Sequence, residues 1–199
     1  MDRVRLASSV AGKCWFRPAR PQIPIYVAAL FPRMLEIAGE LADGVLLTWP
    51  TPGTIARAVE HVAIGARRAG RAATAMDVGS LIPCAVAQTA AAARDALRPA
   101  VGLYAGFFPR YNRLLAEAGF GDAVRDIKEA FDRGGRDAAA TKVPDELIDA
   151  VALAGTPETC RERIDVYRRA GLALPIVSPR ASGADALAMA MAAIRTCAP

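Results

Sequence analysis

The chain has 199 residues, of which 53% are hydrophobic and 23% charged, and a formal net charge of +5. That is ample apolar material for one or two folded domains and excludes a disordered chain. The cations are nearly all arginines alternating with Asp and Glu, as in "ETCRERIDVYRR" (158–169), so they read as solvated helix faces. They are not the gathered basic surface with stacking aromatics that a nucleic-acid site needs, although a mild positive excess suits an anionic small molecule.

Residues 1–21 end in the proline-spaced "FRPARPQIP", an extended lead-in to a strand. The apolar run Ile25–Leu30 follows, rich in strand formers and unbroken, as in a strand covered on both faces. Pro32 stands where a helix can begin without losing a bond, and Met34, Leu35, Ile37, Ala38 and Leu41 then recur at helical spacing. Asp43-Gly44 turns the chain into a second apolar run. Strand, helix and strand with short joins make the two strands parallel neighbours. Thr51-Pro52 predicts a capped second helix with Ile55, Val59, Val62 and Ala66 on one face.

The third strand falls within 77–88. Pro83 is awkward inside a central strand, so its core is expected at 84–87, or with a bulge at the proline. Residues 90–150 form a long helical section broken at Pro99, Pro109 and Gly119, too long for a simple crossover. Thr156-Pro157-Glu158 caps another helix with Ile164 and Tyr167 facing in, "LALPIVSP" (172–179) is the fourth strand, and "ADALAMAMAAIRT" is the last helix. About four parallel strands alternating with helices define an α/β protein, either a barrel or an open doubly wound sheet. No Gly-x-Gly-x-x-Gly follows a strand, which disfavours a dinucleotide-binding sheet.

Cys14, Cys84, Cys160 and Cys197 are far apart, with no Cys-x-x-Cys pair, so neither a metal site nor a redox motif is expected. Size and the lack of an apolar leader in the first 16 residues also argue against disulfides, and no run approaches the length of a membrane span. A reducing cytoplasm is the expected setting.

Three blocks in order carry a family likeness: "PIYVAALFPRMLEIAGELADGVLL", "LRPAVGLYAGFFPRYNRLLAEAGF" (97–120) and "VPDELIDAVALAGTPETCRERIDVYRRAG" (143–171). The chain resembles the luciferase-like monooxygenases, in particular their deazaflavin (coenzyme F-420)-dependent oxidoreductases, across residues 22–180. The resemblance implies a (β/α)8 TIM-type barrel of which only the C-terminal half-barrel is present, over 22–199, with a helical insertion at about 90–150. It implies hydride transfer between the deazaflavin and an unknown organic substrate. A flavin (FMN) monooxygenase of the same superfamily and a non-catalytic half-barrel are the alternatives. Half a barrel leaves a sheet edge and core-facing side chains uncovered, so self-association is expected.

In such barrels the active face lies at the strand C-termini. The resemblance assigns Ala28, Ala29, Leu30, Phe31 and Pro32 to the coenzyme's phosphate-bearing tail, next to helix N–H groups that favour an anion. Phe31 departs from the family's usual glycine, implying weaker coenzyme affinity or a ring that covers the site. Thr48, Trp49, Gln88 and Arg180 end the following strands and are candidates for the substrate pocket. Trp49 has a packing role as its alternative, and so have Tyr104 and Tyr111. His61 reads as an outer-ring residue and Cys84 as a small buried hydrophobe. No residue stands out as the catalytic acid or base.

Overall fold

The computed structural model describes residues 23–180 and 186–198; the lead-in expected over 1–21 lies outside them. Five parallel strands are present: β1 (Tyr26–Ala28), β2 (Gly44–Thr48), β3 (Asp77–Val86), β4 (Leu153–Gly155) and β5 (Leu174–Pro179). Helices α1 (Pro32–Leu41) and α2 (Pro52–Arg68) connect the first three strands. The helical section comprises α3 (Ala90–Phe107), α4 (Pro109–Leu115), α5 (Gly121–Ala140) and α6 (Asp145–Val151), and α7 (Pro157–Arg169) and α8 (Ala186–Cys197) follow.

Prolines open the helices where the sequence places them. Pro32 and Pro52 occupy first-turn positions, and Thr51 and Thr54 form a reciprocal cap: Thr51 Oγ1 accepts from Thr54 N at 3.2 Å and Thr54 Oγ1 from Thr51 N at 2.7 Å. Thr156 Oγ1 likewise accepts from Thr159 N at 3.4 Å. Pro99 does not break its helix, which runs on through it. One ladder bond is lost there, but Arg98 fastens the adjoining turn to the Val143 carbonyl and the Asp145 carboxylate, and Arg136 Nε donates to Pro99 O at 3.3 Å.

β3 organises the sheet. Val78 O and Cys84 O accept from Ala173 N and Arg180 N on the β5 side, whereas Leu81 O accepts from Trp49 N on the β2 side. Backbone groups alternate along a strand, so Pro83 points with Leu81 toward β2. Pairing with β2 ends at Leu81 and pairing with β4 starts at Cys84. The missing N–H of Pro83 therefore falls in the gap between two neighbours, and the strand spans Asp77–Val86 without the shortening expected at 84–87. β4 itself, only three residues between a helix and a cap, has no apolar run to announce it.

Successive strands β1, β2 and β3 lie side by side, and β5 takes the far edge of β3. One face is covered. Val45, Leu47, Val78 and Ile82 pack against Leu35 and Ala38 of α1, Ile55 and Val62 of α2, Ile164 and Tyr167 of α7 and Ala193 of α8. Burying side chains such as Ile55 and Ile82 contributes about 1.5–3 kcal/mol each. The opposite face carries the register rows Ala28–Leu46–Gly79–Leu174 and Thr48–Leu81–Ile176. Leu81, Leu174 and Ile176 there keep 39%, 40% and 40% exposure, so among the described residues this apolar face lacks a second layer. Helices on one side and sequential strand order are the arrangement of a barrel wall, not of a doubly wound sheet with both faces covered.

Crossing of α1 over α2 depends on two glycines. A Cβ on Gly65 would lie 1.8 Å from the Glu36 carbonyl oxygen, and one on Gly39 would lie 2.2 Å from that of Val62. Gly65→Ala should destabilise by at least about 1–3 kcal/mol, whereas Gly53→Ala, whose added Cβ meets only Thr51 Oγ1 at 3.8 Å, should be close to neutral. Urea denaturation of both variants checks this; equal midpoints would contradict the close crossing. The open face leads us to expect concentration-dependent association of the isolated chain in sedimentation velocity, and a monomer at all accessible concentrations would count against it.

Candidate functional site

The strands are parallel, so the ends of β1, β2, β3 and β5 share one rim. Ala29 N donates to Leu46 O at 3.2 Å, carrying the ladder one residue beyond β1. Phe31 then caps α1 with extended backbone (φ −119°, ψ 156°), its carbonyl accepting from Met34 N at 3.0 Å and Leu35 N at 3.1 Å. This conformation suits any residue, so Phe31 stands without backbone strain where the resemblance leads one to expect glycine. The first turn of α1 contains no acidic residue, which leaves its positive end uncompensated.

The helical section reaches this rim through α4. The Arg113 guanidinium lies 4.8 Å above the Phe31 ring centroid, and Leu114 closes a crevice with Leu30, Leu47, Thr48, Pro50, Thr54 and Ala58. That crevice has a volume of only about 20 Å³. Arg113 Nε also donates to Glu117 Oε1 at 2.6 Å, an exposed pair one turn along the helix. Neither Arg113 nor Leu114 was singled out by sequence reasoning, because nothing local in α4 says which strand end it meets. A larger open groove of about 430 Å³ runs between α4 and α5, but Lys128 and Asp132 in its wall already pair with each other at 2.6 Å.

The other expected pocket residues divide. Thr48 lies in the crevice beside Leu30. Trp49 leaves β2 through a left-handed turn (φ 58°), uncommon for a bulky residue, and its ring is buried against Tyr104, with centroids 4.5 Å apart and planes 18° from parallel. Tyr111 meets Tyr104 edge-on at 5.0 Å, and Phe108 approaches it at 5.1 Å. These rings fasten the helical section to the end of β2. Gln88 is exposed beyond β3. Arg180 follows β5, its backbone N–H bonded to Cys84 O at 2.7 Å, and its buried Nε has no hydrogen-bond partner among the described residues.

At the opposite end of the sheet, Asp43 and Gly44 have structural duties. Asp43 Oδ2 accepts from Ile25 N at 2.9 Å, and the Tyr26 ring crosses Gly44 to hydrogen-bond Asp77, an interaction that holds the Tyr26 hydroxyl above its usual pKa. His61 joins α2 to α1 away from the rim, its Nδ1 3.1 Å from Glu36 Oε1, while Arg68 donates to Glu36 Oε2 at 2.6 Å. The Arg68 hydrogen bond, then that of His61, keeps the Glu36 carboxyl below its usual pKa.

These observations define a parallel α/β barrel wall with its strand ends gathered on one rim. The sequence matches the luciferase-like monooxygenase family over residues 6–174, and the chain belongs to that family. It is 35% identical over 166 residues to the 5,10-methylenetetrahydromethanopterin reductase of Archaeoglobus fulgidus, covering 80% of this chain and 48% of that protein. The structure superposes on the coenzyme F420-dependent tetrahydromethanopterin reductase from Methanopyrus kandleri with a TM-score of 0.74 and 28% identity, over 86% of this chain and 49% of that one. An F420-dependent secondary alcohol dehydrogenase shares the fold at a TM-score of 0.65 and 19% identity, over 91% and 49% of the two chains. The chain thus spans about half the length of the relatives it matches, in agreement with the half-barrel that the family resemblance implies. No helix among the described residues is long and apolar enough to cross a membrane.

Glu36 gives the pH test for the α1–α2 contact. Its pKa is lower in the folded than in the unfolded chain, so its contribution is complete above the usual value of 4.5 and is lost as pH falls through the depressed folded value. Glu36→Gln should flatten the loss of stability below that pH; an unchanged slope in pH-dependent melts would remove Glu36 from the account.

Proposed function

We propose that this chain supplies the C-terminal rim of an oxidoreductase dependent on deazaflavin coenzyme F-420, with Ala28–Pro32 holding the coenzyme's anionic tail. The observation that carries this reading is the placement of Arg113 over Phe31, at the acid-free start of α1. Ala28 is small and exposed at the end of β1, and Arg113 adds a positive charge beside the helix N-terminus. The fit is to the tail. The crevice of about 20 Å³ is far below the roughly 300 Å³ of a small-molecule pocket, so it would not hold the ring, and Leu46 and Leu81 on the open sheet face would be the residues to receive it. The bound deazaflavin would supply hydride chemistry, while the protein positions its partners and excludes water.

Thr48, Gln88 and Arg180 would bound the substrate on the same rim, with Trp49 holding the helical wall in place through Tyr104. The names of the relatives point toward a pterin or a small alcohol or ketone as the substrate class. A reducing cytoplasm suits its free thiols. FMN in the same cradle is a second reading, because its phosphate would meet the same groups. The uncovered sheet face supports a third, a half-barrel that binds without turnover.

Fluorescence titration of the chain with oxidised coenzyme F-420 and with FMN tests these readings. Arg113→Ala should weaken F-420 binding by about 10–100-fold, the worth of a charged hydrogen bond, without altering the melting curve. Phe31→Gly, which removes the ring that stands at the start of α1, should tighten binding. Tighter binding of FMN would favour the flavin reading, and no binding of either would leave the tail cradle without support.

A further inference from the structure

Three of the four cysteines, distant in sequence, meet behind the sheet. Cys84 lies on the covered face of β3 near its C-terminal end, Cys160 in the first turn of α7 and Cys197 at the end of α8. Cys84 Sγ is 3.9 Å from Cys197 Sγ, and Cys160 is buried in the same core cluster as Cys84. Cys84 and Cys160 are fully buried, whereas Cys197 is partly exposed. The expectation that Cys84 is merely a small hydrophobe therefore misses its neighbours. Among the described residues no group of three side chains is disposed to hold a metal ion, so the chemistry open to this cluster is that of thiols.

We propose that Cys84 and Cys197 are a peroxide-sensitive thiol pair, closing to a reversible disulfide that pins the end of α8 to the central strand, with Cys160 beside them as an exchange partner. Closure moves the sulfurs together by about 2 Å, to the bond length of roughly 2.05 Å. Side-chain rotation and the terminal turn of α8 can absorb that movement.

The environment divides the roles. Hydrogen bonds to Cys160 and then Cys197, together with burial, push the Cys84 thiol up, so it remains a proton donor. The hydrogen bond from Cys84, assisted by the Arg161 guanidinium, draws Cys197 down toward the thiolate. The accessible Cys197 thiolate attacks one peroxide oxygen; the S–O bond forms, the O–O bond breaks, and hydroxide leaves to become water. Cys84 then gives up its proton and attacks the Cys197 sulfur, forming S–S and releasing the sulfenic oxygen as a second water. Two thiols are oxidised by two electrons in all and one peroxide is reduced.

The test treats the reduced chain with stoichiometric hydrogen peroxide, blocks free thiols with N-ethylmaleimide and maps the peptides by mass spectrometry. A Cys84–Cys197 cross-link, reversed by dithiothreitol, and a melting midpoint raised by several degrees are expected, since the bridge spans a separation of 113 residues. Cys197→Ser, a change at a partly exposed helix end, should abolish both effects, and Cys160→Ala should retain the cross-link. Cys197 oxidised to sulfinic acid with Cys84 still alkylable, a bridge confined to Cys84 and Cys160, or bridges only between molecules would each overturn the proposal.

Discussion

Both edges of β3 are hydrogen-bonded, one to β5 and the other first to β2 and then to β4. Parallel pairing of this kind sends every chain end to the same rim and requires each crossover to pass over a face. Helices α1, α2, α7 and α8 pack on one face and build the core that holds Ile82 and Cys84, whereas α3, α5 and α6 build a second core that meets the sheet at Trp49 and Ala85. Among the described residues the apolar face around Leu81 and Ile176 has no second layer. Thr48 and Ile176 stand level with Leu81 on that open face, so the surface that most needs covering is also the one next to the candidate site.

At the rim, two kinds of contact meet. The sheet contributes backbone and small side chains at Ala28 and Ala29; the helical section contributes a guanidinium and a leucine from α4. Stacking of Trp49 on Tyr104 couples the two, because it ties α3 to the end of β2 through a backbone turned into the left-handed region. A bulky residue in that conformation costs on the order of 1–3 kcal/mol, and burial of the Trp49 ring against Tyr104 offsets it. Position at the rim is thus set by packing immediately beside Thr48 and Pro50, which line the crevice.

Much of the outline was legible in the residues. Pro32, Thr51-Pro52 and Thr156-Pro157 mark helix starts by local chemistry alone, and the apolar runs around Val27 and Leu46 have the lengths of strands. The three family blocks added the half-barrel. Pro83 and β4 were not legible, for one shared reason: Pro83 is tolerated only because β2 stops and β4 starts across from it, and β4 is a strand only because that position is free. Neither fact is present in the local run.

The sequence by itself determined what depends on neighbours a few bonds away: caps, turns, apolar periodicity, the α/β alternation and the family likeness. Tertiary structure alone decided which distant groups share a place. It set Arg113 over Phe31, turned Trp49 onto Tyr104, joined His61 and Arg68 through Glu36, and brought Cys84, Cys160 and Cys197 together. The physical reason is that these contacts arise when whole helices bury their apolar faces against the sheet, and the polar and thiol groups they carry are set down wherever that packing leaves them.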